Sequence, residues 1–247
     1  MTADEFHDAL HLDVGRPRRE VRTVNVGKHE MKQVVEDPWA HRAKWVSSQV
    51  FLRGRDVKVQ INLNLKRNKL GQDEYQRLCQ LVMKGVRWNW SRSITIRNET
   101  FNVWVNPVQV ASHAVDVDLE VERGNEYGRS YNMAILGIDA TFIYNAGFFP
   151  SQYAADDDFM RTSAHEFGHS VLMEFGGLGH SWTHKGSTSI FQKTTASTPG
   201  YPASGEIDLM KYYDEKKRTA ASWRISSNTR ASELDVKCLL WMSKLSF

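Results

Sequence analysis

The stretch that most constrains this chain is HEFGH, His165 to His169, inside the run DDDFMRTSAHEFGHSVLMEFGG. His165 and His169 are four positions apart, so on a helix they stack on one face about one turn apart. Two imidazoles placed in this way can both reach one Zn²⁺ at about 2.0–2.1 Å. Glu166 follows the first His and comes to lie beside the metal, where a carboxylate can take a proton from a water activated there. Asp156, Asp157 and Asp158 predict a helix N-terminus, which favours negative charge. The run continues without Pro to Phe175, and Gly176-Gly177 supplies a stop. Gly168 costs a helix about 1 kcal/mol relative to Ala, but a small residue there lets another chain segment pass close to the metal. The bland alternative is two polar residues on an exposed helix face. HExxH inside a capped, Pro-free helix rarely arises by chance.

A chain of 247 residues with 41% apolar and 11% aromatic content can bury a substantial core. A net charge of +3, with no Lys/Arg stripe interleaved with aromatics, does not call for nucleic acid. Two cysteines, Cys79 and Cys238, fall in apolar helical patterns and read as buried thiols rather than a disulfide framework. They also exclude a structural zinc site built mainly on Cys. The N-terminus MTADEFHDALHLDVGRPRRE lacks an apolar h-region, so no Sec signal is visible, and no apolar run is long enough to span a membrane.

Residues 1–56 read as an N-terminal extension that packs on or near a catalytic body at 57–247. The extension carries a basic cluster (Arg16, Arg18, Arg19, Arg22) that reads as a solvated arm. Pro38, Trp39 and Trp45 suggest a segment that packs onto the body. From Val57, VKVQINLNL alternates as a half-buried strand. DEYQRLCQLVMKGVRWNW is an amphipathic helix with Tyr75, Leu78, Cys79, Val82 and Val86 on its apolar face. Short strands follow in SITIRN, in FNVWVNPVQVA (where Pro107 implies an edge or a bulge) and in VDVDLEVERG. YNMAILGIDATFIYNAGFF holds two short segments around Gly137. This order gives an α+β fold with a mixed, twisted sheet, helices on one of its faces and an HExxH active-site helix. The long irregular stretch after Gly177 reads as a functional loop. ASELDVKCLLWMSKLSF closes the chain as a helix, with a Ser232–Asp235 capping box and a stripe of Leu234, Cys238, Trp241 and Leu245.

A catalytic zinc takes three protein ligands and a water. The candidates for the third ligand are His180, His184, Glu206 and Asp208. His180 would give a three-His site, Glu206 would give two His and one Glu, and His184 would line the cleft.

The element order and the HExxH helix resemble the zincin metallopeptidases. In the metzincin branch the motif continues HExxHxxGxxH, but Leu172 and Phe175 stand here where Gly and His are expected. DLMKYY, Asp208 to Tyr213, is similar to the metzincin Met-turn. That likeness implies Met210 beneath the metal and Tyr212 assisting at it. HEFGHSVL, SWTHKGS and SGEIDLMKYY are also similar to the zinc peptidase effectors of bacterial type VI secretion. That resemblance implies Glu206 as third ligand, with His165 and His169, and Glu166 as general base. Tyr212 and His184 would donate to the oxyanion.

It further implies a Zn²⁺ peptidase or amidase, made without a Sec signal and active in a target cell's periplasm on envelope protein or peptidoglycan peptides. A VgrG- or PAAR-type carrier and an immunity protein would be its partners. The alternatives are a processing zincin without toxicity and an inactive, structural zincin-like module of a secretion or phage particle. The intact Glu166 argues against the inactive module.

Overall fold

The computed structural model describes residues 3–16, 21–26, 29–34, 49–112, 114–132, 139–217 and 225–245. Arg18 and Arg19 of the basic cluster, the Pro38–Trp39–Trp45 segment and Gly137 lie outside the described residues.

The alternating stretch forms the spine of a mixed sheet. In β4 (Asp56–Lys66), Val57, Val59, Ile61, Leu63 and Leu65 are all buried, because alternate side chains of a strand share a face. On one side, β4 pairs in parallel with β6 (Glu99–Gln109), and β5 (Arg92–Ile96) runs antiparallel beyond it. On the other side it pairs antiparallel with β3 (Gln49–Arg53), and further along in parallel with β7 (Val115–Glu122). β7 in turn carries β8 (Ala140–Asn145) in parallel. A short β11 (Lys244–Leu245) lies parallel to β3. β1 (Val21–Val26) and β2 (His29–Val34) make a separate hairpin. Pairing between β5 and β6 stops at Val103, so Pro107 lies where that side of β6 is open among the described residues. A residue without an N–H is tolerated at such an edge.

α2 (Gln72–Trp90) and α3 (Gln152–Trp182) pack on the sheet and on each other. α2 buries Leu78, Val82, Val86 and Trp90, each contributing roughly 1.5–3 kcal/mol on burial. Gly85 sets the approach of the two helices, since a Cβ there would stand 2.2 Å from the Met160 carbonyl oxygen. α5 (Glu233–Met242) packs against α3 and β5, and begins with the expected capping box. Ser232 Oγ accepts from the Asp235 N–H, and Asp235 Oδ2 accepts from the Ser232 N–H. Its burial is broader than one stripe: Val236, Cys238, Leu239, Leu240, Trp241 and Met242 are inside, while Leu234 faces out.

α1 (Ala3–Asp13) belongs to the same core. It packs against α5 and β5, and buries Phe6, Ala9 and Leu10, with Phe6 edge-on to Phe101 at 5.1 Å. β3, which the sequence reading assigned to the extension, is a strand of the sheet.

Two expectations about α3 need correction. The helix starts earlier than its aspartates, with Ser151 as N-cap accepting from the Ala154 N–H. Asp156 and Asp158 then lie in the second turn as ion-pair partners of Arg77 and Arg161. Gly177 does not end the helix. It kinks it with φ 75°, and helical structure resumes to Trp182. The left-handed φ explains why a glycine sits there.

Candidate metal centre

His165 and His169 project from the middle of α3, where the sheet, α2 and the later loops converge. The kink at Gly177 and the short helical return bring a third imidazole, His184, back onto the pair. One nitrogen from each of His165, His169 and His184 lies within 4.8 Å of the others. His184 stacks on His165 with ring centroids 5.2 Å apart and stands edge-on to His169 at 4.7 Å.

Each ring is oriented through its other nitrogen. His165 Nδ1 donates to the Leu209 carbonyl at 2.6 Å. Ser181 Oγ donates to the His169 carbonyl at 3.0 Å, so its lone pairs are left to accept from His169 Nδ1 at 3.1 Å. His184 Nδ1 lies 3.4 Å from Thr188 Oγ1. At His165 and His169 these contacts leave Nε2 as the free lone pair, which is how outer contacts fix the tautomer of a metal-binding His. His184 is fully buried, and among the described residues no hydrogen-bond partner reaches its Nε2. An orphaned buried nitrogen is costly, and a cation between the three rings would satisfy it. Burial also holds all three rings neutral: His165 is pulled down to about 4, His184 to about 2, and His169 well below its usual range. Neutral imidazole is the ligand form, so the donor set fits a zinc-type ion.

The turn that carries Met210 lies under this cluster. Asp208 Oδ1 accepts from the Met210 N–H, and the neighbouring Leu209 carbonyl holds His165. Met210 is fully buried. A Cβ on Gly168 would stand 2.2 Å from Met210 Sδ and 2.8 Å from Trp90 Cζ2. The small residue inside HEFGH therefore makes room for Met210. With an overlap this severe, Gly168→Ala should cost about 3 kcal/mol through overpacking, and the gain in helix propensity returns about 1 kcal/mol, so the net loss is about 2 kcal/mol. Urea unfolding of the metal-free protein measures it, and an unchanged midpoint would contradict the packing account.

Glu166 is buried beside the cluster but is not part of it. Burial pushes its carboxyl up to about 8, with the Arg129 guanidinium pulling the other way. Its backbone carbonyl accepts from Asn132 Nδ2 at 2.7 Å. Tyr212 stands edge-on to His184 at 4.1 Å, and its phenol oxygen accepts from Arg129 at 3.0 Å.

Glu206 does not reach the cluster. It is half exposed and pairs with Arg92 at 2.9 Å. Asp208 is bound to Lys185. His180 lies beside Phe175, and its backbone carbonyl accepts from the Lys185 N–H. His184, expected to line the cleft, is instead the imidazole that joins the pair.

Arg129 had no motif to mark it, and Ser181 and Lys185 stand in SWTHKGS without having been given a role. His184 and Lys185 take left-handed φ values of 50° and 60°, a strain of order 1–3 kcal/mol per residue that only surrounding contacts sustain.

No family model matches the chain, and no curated protein matches it. Among solved structures, one described as the structure of myroilysin is similar at 16% identity, covering 76% of this chain and 94% of that one, with a TM-score of 0.34. At that identity and degree of superposition the likeness assigns neither a family nor an activity.

Proposed function

We propose that the chain is a zinc-dependent peptide hydrolase whose metal is held by His165, His169 and His184. The observation that carries this reading is the trio of neutral imidazoles, with His184 Nε2 left without a hydrogen-bond partner among the described residues and Glu166 next to His165 in the helix. Zinc bound there would supply Lewis-acid activation of water and of a scissile carbonyl. Glu166 takes the proton as the amide is attacked and hands it to the leaving amine. Tyr212, held by Arg129, supplies a hydrogen-bond donor for the oxyanion, and the Arg129 guanidinium adds positive charge on that side. The turn around Met210 plays the part of a Met-turn: its Leu209 carbonyl fixes His165, and Met210 forms an apolar floor.

The biological setting rests on the resemblance of HEFGHSVL, SWTHKGS and SGEIDLMKYY to type VI effectors. On that likeness the protein is an antibacterial toxin, delivered with a VgrG- or PAAR-type carrier and neutralised by an immunity protein. Its target would be peptide bonds in the envelope of a rival cell.

The test is hydrolysis of an unfolded protein substrate by the zinc-loaded chain. Cleavage should vanish with a chelator and return with Zn²⁺. Stoichiometric zinc without cleavage of unfolded protein or peptidoglycan peptides would defeat the hydrolase reading. Toxicity that is equal with and without a Sec signal would defeat the envelope target.

A further inference from the structure

We infer that Lys185 is a positioning residue of the metal centre: its buried ammonium ties the strained turn that aims His184 to the turn that orients His165. The inference rests on the three-His reading above.

The geometry is specific. Lys185 Nζ donates to Asp208 Oδ2 at 2.6 Å, to both Asp235 oxygens at 2.9 Å and to Ser232 Oγ at 3.1 Å. An ammonium has three protons, and these partners use them all. The Lys185 side chain is 9% exposed and that of Asp235 1%, so this is an interior cluster.

Its partners are what give it a role at the site. Lys185 follows His184 directly, and both have left-handed backbones. Asp208 opens the turn whose next carbonyl, Leu209, fixes His165. Asp235 and Ser232 are the capping box of α5, which packs on α3. One side chain thus links the ligand on the loop, the support of a ligand on the helix, and the helix end behind them. A buried ion cluster is weak evidence for stability, since desolvation offsets much of the attraction, and its best-attested use is to fix one arrangement among several. Here the arrangement fixed is the position of His184 relative to His165.

Replacing an outer partner of a metal site typically costs 10–100-fold in metal affinity. Lys185→Met should therefore raise the zinc dissociation constant by about 10–100-fold and alter the visible spectrum of the Co²⁺-loaded protein. Asp208→Asn should do the same, because its remaining oxygen can still accept from the Met210 N–H while the ionic contact is lost. The double variant should be no worse than the weaker single one, since the two act through one contact. Lys237→Met is the control. It removes another ion-paired lysine of α5, bound to Asp13 and Glu233, and should leave zinc affinity and the Co²⁺ spectrum as in the parent.

Unchanged affinity and spectrum in folded Lys185→Met would overturn the inference, as would an equal loss in Lys237→Met. Should Lys185→Met fail to fold, Asp208→Asn decides alone. A parent protein that binds no zinc would overturn the inference together with the metal reading. A parent that binds zinc beside an unaffected Lys185→Met overturns the inference only.

Discussion

His184→Ala should lose its zinc on dialysis against a mild chelator, while Glu206→Ala should keep it near stoichiometric. Removing His184 leaves two imidazoles one helical turn apart and opens the buried face where the third nitrogen stood. Outer-shell changes alone cost roughly 10–100-fold in affinity, and loss of a ligand should cost more. Glu206 is half exposed and engaged with Arg92, so its removal should cost at most about 1 kcal/mol of stability, the scale of an exposed ion pair. Asp208→Asn and His180→Ala sharpen the comparison. The first should weaken zinc through the Lys185 link, and the second should leave zinc in place, since the His180 imidazole is not in the cluster and its hydrogen bond to Lys185 is made by the backbone carbonyl. The measurement is zinc per chain by elemental analysis, with circular dichroism to confirm the fold. Metal lost from Glu206→Ala and kept in His184→Ala would mean that the buried imidazoles are not the ligand set.

The sequence made some features plain because their causes are local. Alternation from Val57 to Leu65 is set by strand geometry, and β4 follows it residue by residue. Ser232 and Asp235 are three apart ahead of an apolar run, and a hydroxyl and an acceptor at that spacing are the local signature of a capping box. Gly168 was marked as a place of close approach by its cost in a helix, and Met210 fills the space. The HEFGH spacing places two imidazoles and a carboxylate together wherever the helix goes.

What remained hidden depends on contacts far apart in sequence. Nothing in GGLGHSWTHKGS says that Gly177 kinks the helix rather than ending it, since a left-handed φ serves either purpose. The return of His184 depends on that kink and on Lys185 meeting Asp208 and Asp235 across the fold. Glu206 is the third ligand that the effector resemblance implies. In space, β9 (Ile207–Asp208) pairs with β10 (Thr229–Arg230), which packs on α2, and Arg92 of β5 takes the carboxylate. Arg129 stands alone in GNEYGRS, and only folding brings it to Tyr212.

The other large effect belongs to Glu166. Glu166→Gln should lower peptide hydrolysis by about 10²–10⁴-fold, the usual worth of a positioned general base, and leave zinc content unchanged. The amide fills the same buried space, so the comparison isolates the proton acceptor from packing. Burial, opposed by the Arg129 guanidinium, raises the Glu166 carboxyl to about 8, which would leave it mostly protonated at neutral pH. A cation held by the three imidazoles favours the ionised form and draws that value down. The carboxylate is then ready as a base at pH 7, and the acid limb of the pH–rate profile of the zinc-loaded enzyme should fall below pH 8. Glu166→Asp keeps a base but withdraws it by one methylene, so it should retain more activity than the Gln variant and less than the parent. Zinc lost from Glu166→Gln with the fold intact would make Glu166 a ligand. Parental activity in that variant would show that the proton goes elsewhere, leaving Tyr212 and Arg129 to account for catalysis without it.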